Sequence, residues 1–231
     1  MNESLQTYSG AAGGGTLTAE RNRVLRNTYW LLALSMIPTV LGAWIGVQTG
    51  IMRAMSPGIS LIVFMVGAFG LMFAVEKFKN SAAGVPILLG FTFFMGLMLS
   101  RLVGQVLGFS NGASLIMLAF GGTGAIFVGM ATLSSVIKRD LTSMGKFLFI
   151  GMILLLVAVV ANIFIQSSAL MITLSVLAIG IFSAFILYDL KRVQDGEETN
   201  YISATLGVYL SLYNVFSNLL ALLGIFGGER D

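Results

Sequence analysis

Seven apolar stretches of about 20 residues divide the chain, and the short breaks between them hold nearly all of its charge. They run Thr28–Val47, Gly58–Val75, Val85–Leu107, Ala113–Ile137, Lys146–Ile165, Ala169–Leu190 and Ile202–Phe226. A hydrocarbon core of about 30 Å is crossed by roughly 20 residues of helix, so each stretch predicts one membrane-spanning helix. Pro38 falls inside the first span, where a membrane bundle tolerates a kink. Ser56-Pro57 opens the second, and Pro86 sits in the first turn of the third, where a missing N–H costs nothing. The break Gln166-Ser167-Ser168 is so short that spans five and six form a tight hairpin. Ahead of the first span, residues 1–26 are polar and include Gly13-Gly14-Gly15, which predicts a flexible tail. It is not a signal peptide: the apolar run after it is too long and no A-x-A-like site closes it. The expected organisation is a tail, 1–26, and an all-α transmembrane domain of seven helices, 27–231.

Composition agrees. The 231 residues are 57% hydrophobic and 10% charged, with a mean hydropathy of +0.93, whereas soluble domains carry about 25% charged residues. With no cysteine there is no disulfide or thiol chemistry, and with no histidine the usual metal ligand and pH switch are gone. The net charge of +3 matters through its placement, and it describes no nucleic-acid surface. Arg21, Arg23, Arg26, Lys77, Lys79, Lys138, Arg139, Lys146, Lys191 and Arg192 fall on the side of the N-terminus, and only Arg53, Arg101 and Arg230 on the other. Basic loops stay in the cytoplasm, so the N-terminus is expected there and the C-terminus outside.

Polar groups at membrane depth concentrate in the last two spans. Gly207, Ser211, Asn214 and Asn218 share one face of the seventh span, with Ser217 beside them. Amides facing lipid would go unpaired at a cost of several kcal/mol each, so this helix is expected to be surrounded. Its stripe reads either as hydrogen-bonding glue between helices or as the lining of a pore or site. Asp189 is the one carboxylate inside a predicted span. It reads either as an interfacial acid paired with Lys191, Arg192 or Arg23, or as a partly buried group that binds a proton or a cation such as calcium. Arg101 is expected to snorkel outward and Asn162 to bond between helices. The acidic loop Asp195-Gly196-Glu197-Glu198 reads as solvated, or as a lure for a divalent cation. Small residues four apart, Gly42 with Gly46, Gly104 with Gly108 and Ala125 with Gly129, predict packing seams.

Enzyme chemistry finds no support. A Ser/His/Asp triad needs histidine, and a carboxylate pair needs a second acid at depth. Gly121-Gly122-Thr123-Gly124 lies in an apolar span with no Gly-Lys-Ser/Thr after it, so it is not a phosphate loop.

The residues resemble one family. AFGGTGAIFVGMATLSSVIKRDLTSMGKFLFIGMILLLVAVVANIFIQ, from Ala119, looks like the middle segment of the Bax inhibitor-1 family of seven-helix membrane proteins, and FILYDLKRV, from Phe185, looks like its sixth helix. VLRNTYWLLALS from Val24, Ser56-Pro57-Gly58, GLMF from Gly70 and GEETNYISATLGVYLSLYNVFSNLLALLG from Gly196 are similar to the bacterial branch of that family typified by YccA. The resemblance implies six helices around a central seventh. It also implies a pH-sensitive calcium leak gated by two aspartates, one in the sixth helix and one in the seventh. Asp189 matches the first position and Ser211 stands at the second; one carboxylate makes a weaker site for a hard dication than two. The branch further implies an inner-membrane protein that binds and restrains the membrane AAA+ protease FtsH as a poorly degraded substrate, gripped by a flexible cytoplasmic N-terminal tail. On that reading Asp189, Ser211, Asn214 and Asn218 line an ion path only if the protein also conducts.

Overall fold

The computed structural model describes residues 3–229, with side chains from Thr18 onward and without that of Pro57. The elements are α1 (Glu3–Thr49), α2 (Ile51–Ala54), α3 (Pro57–Phe78), α4 (Gly84–Val106), α5 (Gly112–Val136), α6 (Thr142–Ile165), α7 (Ser168–Asp195) and α8 (Tyr201–Gly227). Seven of them are long and apolar enough to cross a membrane, the first over Thr18–Thr49. The protein is therefore a multi-pass membrane protein. Of the expected tail, residues 18–26 form the polar start of that helix, and Val24 packs with Val193 and Ala204. α1 runs through Pro38 without a break, and α2 is a single turn that the apolar pattern did not predict.

Local chemistry sets the helix ends. The Ser56 side chain accepts from the Ile59 N–H, and Ser167 from the Leu170 N–H. Asn200 does more: its side-chain oxygen accepts from the Ile202 and Ser203 N–H groups, while its amide donates to Asn80 Oδ1 at 2.8 Å. One residue thus caps α8 and ties its start to the α3–α4 turn. α7 stops at Gly196, whose φ of +81° favours glycine. The Arg21 side chain of α1 lies over that glycine, where a Cβ would meet its Nε at 2.6 Å.

α8 is the hub. It packs against α1, α3, α4, α5 and α7, and no residue from 201 to 224 is exposed. The expected surrounded helix is present. The sixth neighbour, α6, packs on α7 and faces α8 only across a cleft lined by all three. Leu155 is its one buried residue. The main core lies at the other side of the hub, where Tyr209, Leu206 and Ile202 of α8 meet Phe91, Leu88 and Met95 of α4 and Ile186 and Leu190 of α7.

α1 and α4 make the closest backbone approach. A Cβ on Gly42 would collide with the Phe93 carbonyl, and one on Gly96 with the Thr39 carbonyl; Gly46 lies against Ser100. The expected Gly42/Gly46 seam is real because α4 answers it with a small residue of its own. The other pairs differ. Gly104 leaves room for Arg53, whose guanidinium donates to the Gly104 carbonyl. Gly129 has no neighbour within 4 Å of a would-be Cβ, so the Ala125/Gly129 pair forms no seam in this chain.

Gly96→Val is expected to lower stability by about 1–3 kcal/mol through overpacking of the seam, read as a lower thermal midpoint in detergent. Gly90→Val, where a Cβ meets nothing, should leave the midpoint unchanged.

Candidate functional site

Two clefts flank α8, one toward each of its ends. The first, about 510 Å³, is lined by Phe69, Met72, Phe73 and Glu76 of α3, Asp189 and Arg192 of α7, Glu198 of the α7–α8 loop, and Ser203, Ala204, Leu206, Gly207 and Leu210 of α8. Asp189 sits against the α8 backbone: a Cβ on Gly207 would lie 3.0 Å from its Oδ2. Only a residue without a side chain lets the carboxylate approach this closely. Among the described residues, no donor bonds to that carboxylate and no cation pairs with it; Arg192 and Glu198 are the charges that act on it from a distance. The interfacial pairing of Asp189 with Lys191 or Arg23 does not form. Lys191 instead bonds Asp195 at 2.6 Å. Ser203 Oγ, beside the cleft, is likewise buried without a partner.

The rim of this cleft is charged and internally paired. Arg192 lies 3.6 Å from Glu197 and 4.0 Å from Glu198, and Glu198 accepts from the Asn200 N–H. Thr142 of α6 bonds Glu197. The acidic loop is therefore a structural clasp between α7, α8 and α6, and its carboxylates face neighbouring donors and cations. Lys79 donates to Glu76 at 2.7 Å, and that bond holds the lysine above its ordinary pKa. Among the described residues no three acids gather tightly enough to hold a metal ion.

The second cleft, about 330 Å³, lies between α6, α7 and α8, with Asn162, Asn214, Ser217 and Asn218 as its principal polar lining. The predicted stripe thus divides. Gly207 belongs with Asp189 in the first cleft, Asn214 and Asn218 line the second, and Ser211 is buried between them. The four candidate residues do not line one continuous cavity. The asparagines are not glue between helices either. Asn214 Nδ2 donates to the Leu210 carbonyl and Asn218 Nδ2 to the Asn214 carbonyl, both at 2.8 Å and both within α8. Asn162 also acts locally: its Oδ1 accepts from the Ser167 N–H and closes the α6–α7 turn, where Gln166 has a φ of +54°. Arg101 is half-exposed and makes no ion pair among the described residues.

Sequence reasoning missed Tyr209. It is 1% exposed, its hydroxyl is 2.8 Å from Thr39 Oγ1, and its ring meets Phe91 edge-on at 5.9 Å. Thr39 Oγ1 also bonds the Ser35 carbonyl at 2.8 Å, and the tyrosine hydroxyl lies 3.4 Å from the Thr92 carbonyl of α4. The signal was available: Tyr209 falls on the face of α8 opposite Gly207 and Ser211, and a helix polar on two faces needs partners on both. Tyr209→Phe should cost about 1 kcal/mol, the net worth of one buried hydrogen bond, without altering either cleft; the thermal midpoint of the detergent-solubilised protein reads it.

Comparison with known proteins places this geometry. Residues 21–228 match the sequence model of the family described as "Inhibitor of apoptosis-promoting Bax1". A protein of Vibrio cholerae called an uncharacterized membrane protein is 37% identical over 212 residues, 92% of this chain and 93% of its own length. The Escherichia coli K12 protein named "Modulator of FtsH protease YccA" is 36% identical over 210 residues, 91% of this chain and 92% of its own. Its counterpart in another Escherichia coli strain, at the same identity and coverage, is named "Inner membrane protein YccA".

Proposed function

The chain belongs to the family of inhibitors of apoptosis-promoting Bax1, and from that premise we propose that it is a bacterial inner-membrane protein that binds the protease FtsH and modulates it as a poorly degraded substrate. The observation that carries this reading is likeness along the whole transmembrane domain to a protein named for that modulation, 36% identical over 91% of the chain. A likeness so extended covers the hub helix, the seam and both clefts. The protein works as a binding partner and not as a catalyst, in keeping with a membrane interior that holds one carboxylate and no histidine.

The fold supplies what a resistant substrate needs. The excess of basic residues at the N-terminal side puts the polar start of the chain in the cytoplasm, where a protease that pulls on its substrates takes hold. A pull on α1 then meets the α1–α4 seam, where glycines bring two backbones into contact over two turns. It also meets the Thr39–Tyr209 bond to α8. These contacts must shear together, because one rigid helix carries all of them.

FtsH is expected to co-purify with the full chain from detergent-solubilised membranes. Deleting residues 1–15 should lengthen its lifetime in a pulse-chase; unchanged turnover would refute capture by the tail.

A second reading, a pH-dependent cation leak, is favoured by one observation: the unpartnered Asp189 carboxylate inside a cleft. On this reading Asp189 is the titrating group that could meet calcium, with Ser211, Asn214 and Asn218 along the path. Liposomes carrying the protein should then admit calcium, less so with Asp189→Asn. Flux no greater than that of empty liposomes between pH 6 and 8 would dismiss the leak.

A further inference from the structure

We infer that the open cleft between α6, α7 and α8, floored by Asn214, Ser217 and Asn218 of α8, is a docking site for a transmembrane helix of the protease, recognised through an uncharged side chain carrying a hydroxyl or an amide. This rests on the FtsH reading above and names its contact surface.

The groove follows from the packing. α7 is packed against α5, α6 and α8, and α5 is packed on α8 as well, but no comparable packing joins α6 to α8. The second cleft is lined by α6, α7 and α8, and no residue of α5 contributes to it. α6 and α8 therefore do not close on each other, and the cleft stays open between them.

The floor needs a donor that lipid does not provide. Each asparagine spends an amide hydrogen on an α8 carbonyl, which fixes the orientation of the side chain and leaves its Oδ1 turned away. Among the described residues nothing donates to either oxygen. Asn162 presents the complement: its Oδ1 is taken by the Ser167 N–H, and its Nδ2 has no acceptor among the described residues. Asn214 is the midpoint of α8, about 20 Å from either end at 1.5 Å per residue, far from bulk water. Acyl chains neither donate nor accept, so a polar floor facing them is costly. Small and polar positions joined by hydrogen bonds are how helices associate in lipid. Large side chains face lipid elsewhere: Trp30 and Trp44 on α1, and Val66 and Phe73 on α3. The first cleft has a rim of paired charges, which suits no neutral helix.

The test places a photo-crosslinking amino acid at Val159, on the groove wall and 47% exposed, and at Val66 on α3, 70% exposed. Both are made in the full chain in membranes containing FtsH. The expected result is an FtsH adduct from Val159 and none from Val66. Asn214→Leu with Asn218→Leu should reduce FtsH recovery about five- to thirtyfold, the equivalent of one or two such hydrogen bonds. Because that pair could perturb α8, Val159→Trp supplies a second arm: it fills the groove from an exposed position and should reduce recovery while the thermal midpoint stays unchanged. An adduct from Val66, an adduct only with a second copy of this chain, or full recovery with Val159→Trp would each overturn the docking site while FtsH still co-purifies. Absence of FtsH from the unmodified preparation would instead overturn the parent reading, and the docking site with it.

Discussion

No polar group at membrane depth can be left to the acyl chains, and that constraint organises this protein. The last helix carries Thr205, Tyr209, Ser211, Asn214, Ser217 and Asn218. Five other membrane-spanning helices consequently pack against it, and it has no exposed residue before Ile225. Polar groups on two faces require enclosure on both. Tyr209 is served by Thr39 of α1 on one side, while the opposite face carries Gly207 against Asp189 and, further along, the asparagine pair. The remaining spans, with fewer such demands, present apolar faces to lipid; α6 buries only Leu155.

This enclosure is uneven, and the unevenness is where function enters. On the α1–α4 side, glycines allow backbone contact and the tyrosine cross-links the seam to the hub, so that half is rigid. On the α6–α7 side, one hairpin leans against the hub and leaves a cleft. A rigid half that holds the N-terminal helix resists extraction, and an open half with unsatisfied acceptors receives a partner. A protein that engages a membrane protease without being consumed needs both properties.

The seven spans were legible in the sequence because apolar run length is a direct consequence of bilayer thickness. The ends were less so. α7 was expected to stop at Leu190 and runs to Asp195, since a helix continues past the hydrocarbon wherever its polar residues find partners, as Lys191 does with Asp195 and Arg192 with Glu197. α2 escaped because four residues carry no periodicity. At the site, sequence spacing identified the face that Asn214 and Asn218 share, but not their partners. A side chain chooses between its own helix and a neighbour according to distances that only the packing sets, and here the carbonyl one turn back won in both cases. Asn162 was misassigned for the same reason: a helix end supplies nearer N–H groups than any neighbouring helix. Gly129 shows the limit of reading seams from one strand of the pair, since a small residue makes a seam only if another helix comes to it.

The most direct test of the account is the effect of this protein on FtsH itself. FtsH would be reconstituted in proteoliposomes with an unrelated membrane substrate, and the half-life of that substrate followed with and without an equimolar amount of the full chain. The account predicts a longer substrate half-life when the chain is present, with the chain itself largely intact. A substrate half-life that does not change, or a chain degraded as fast as the substrate, would contradict it.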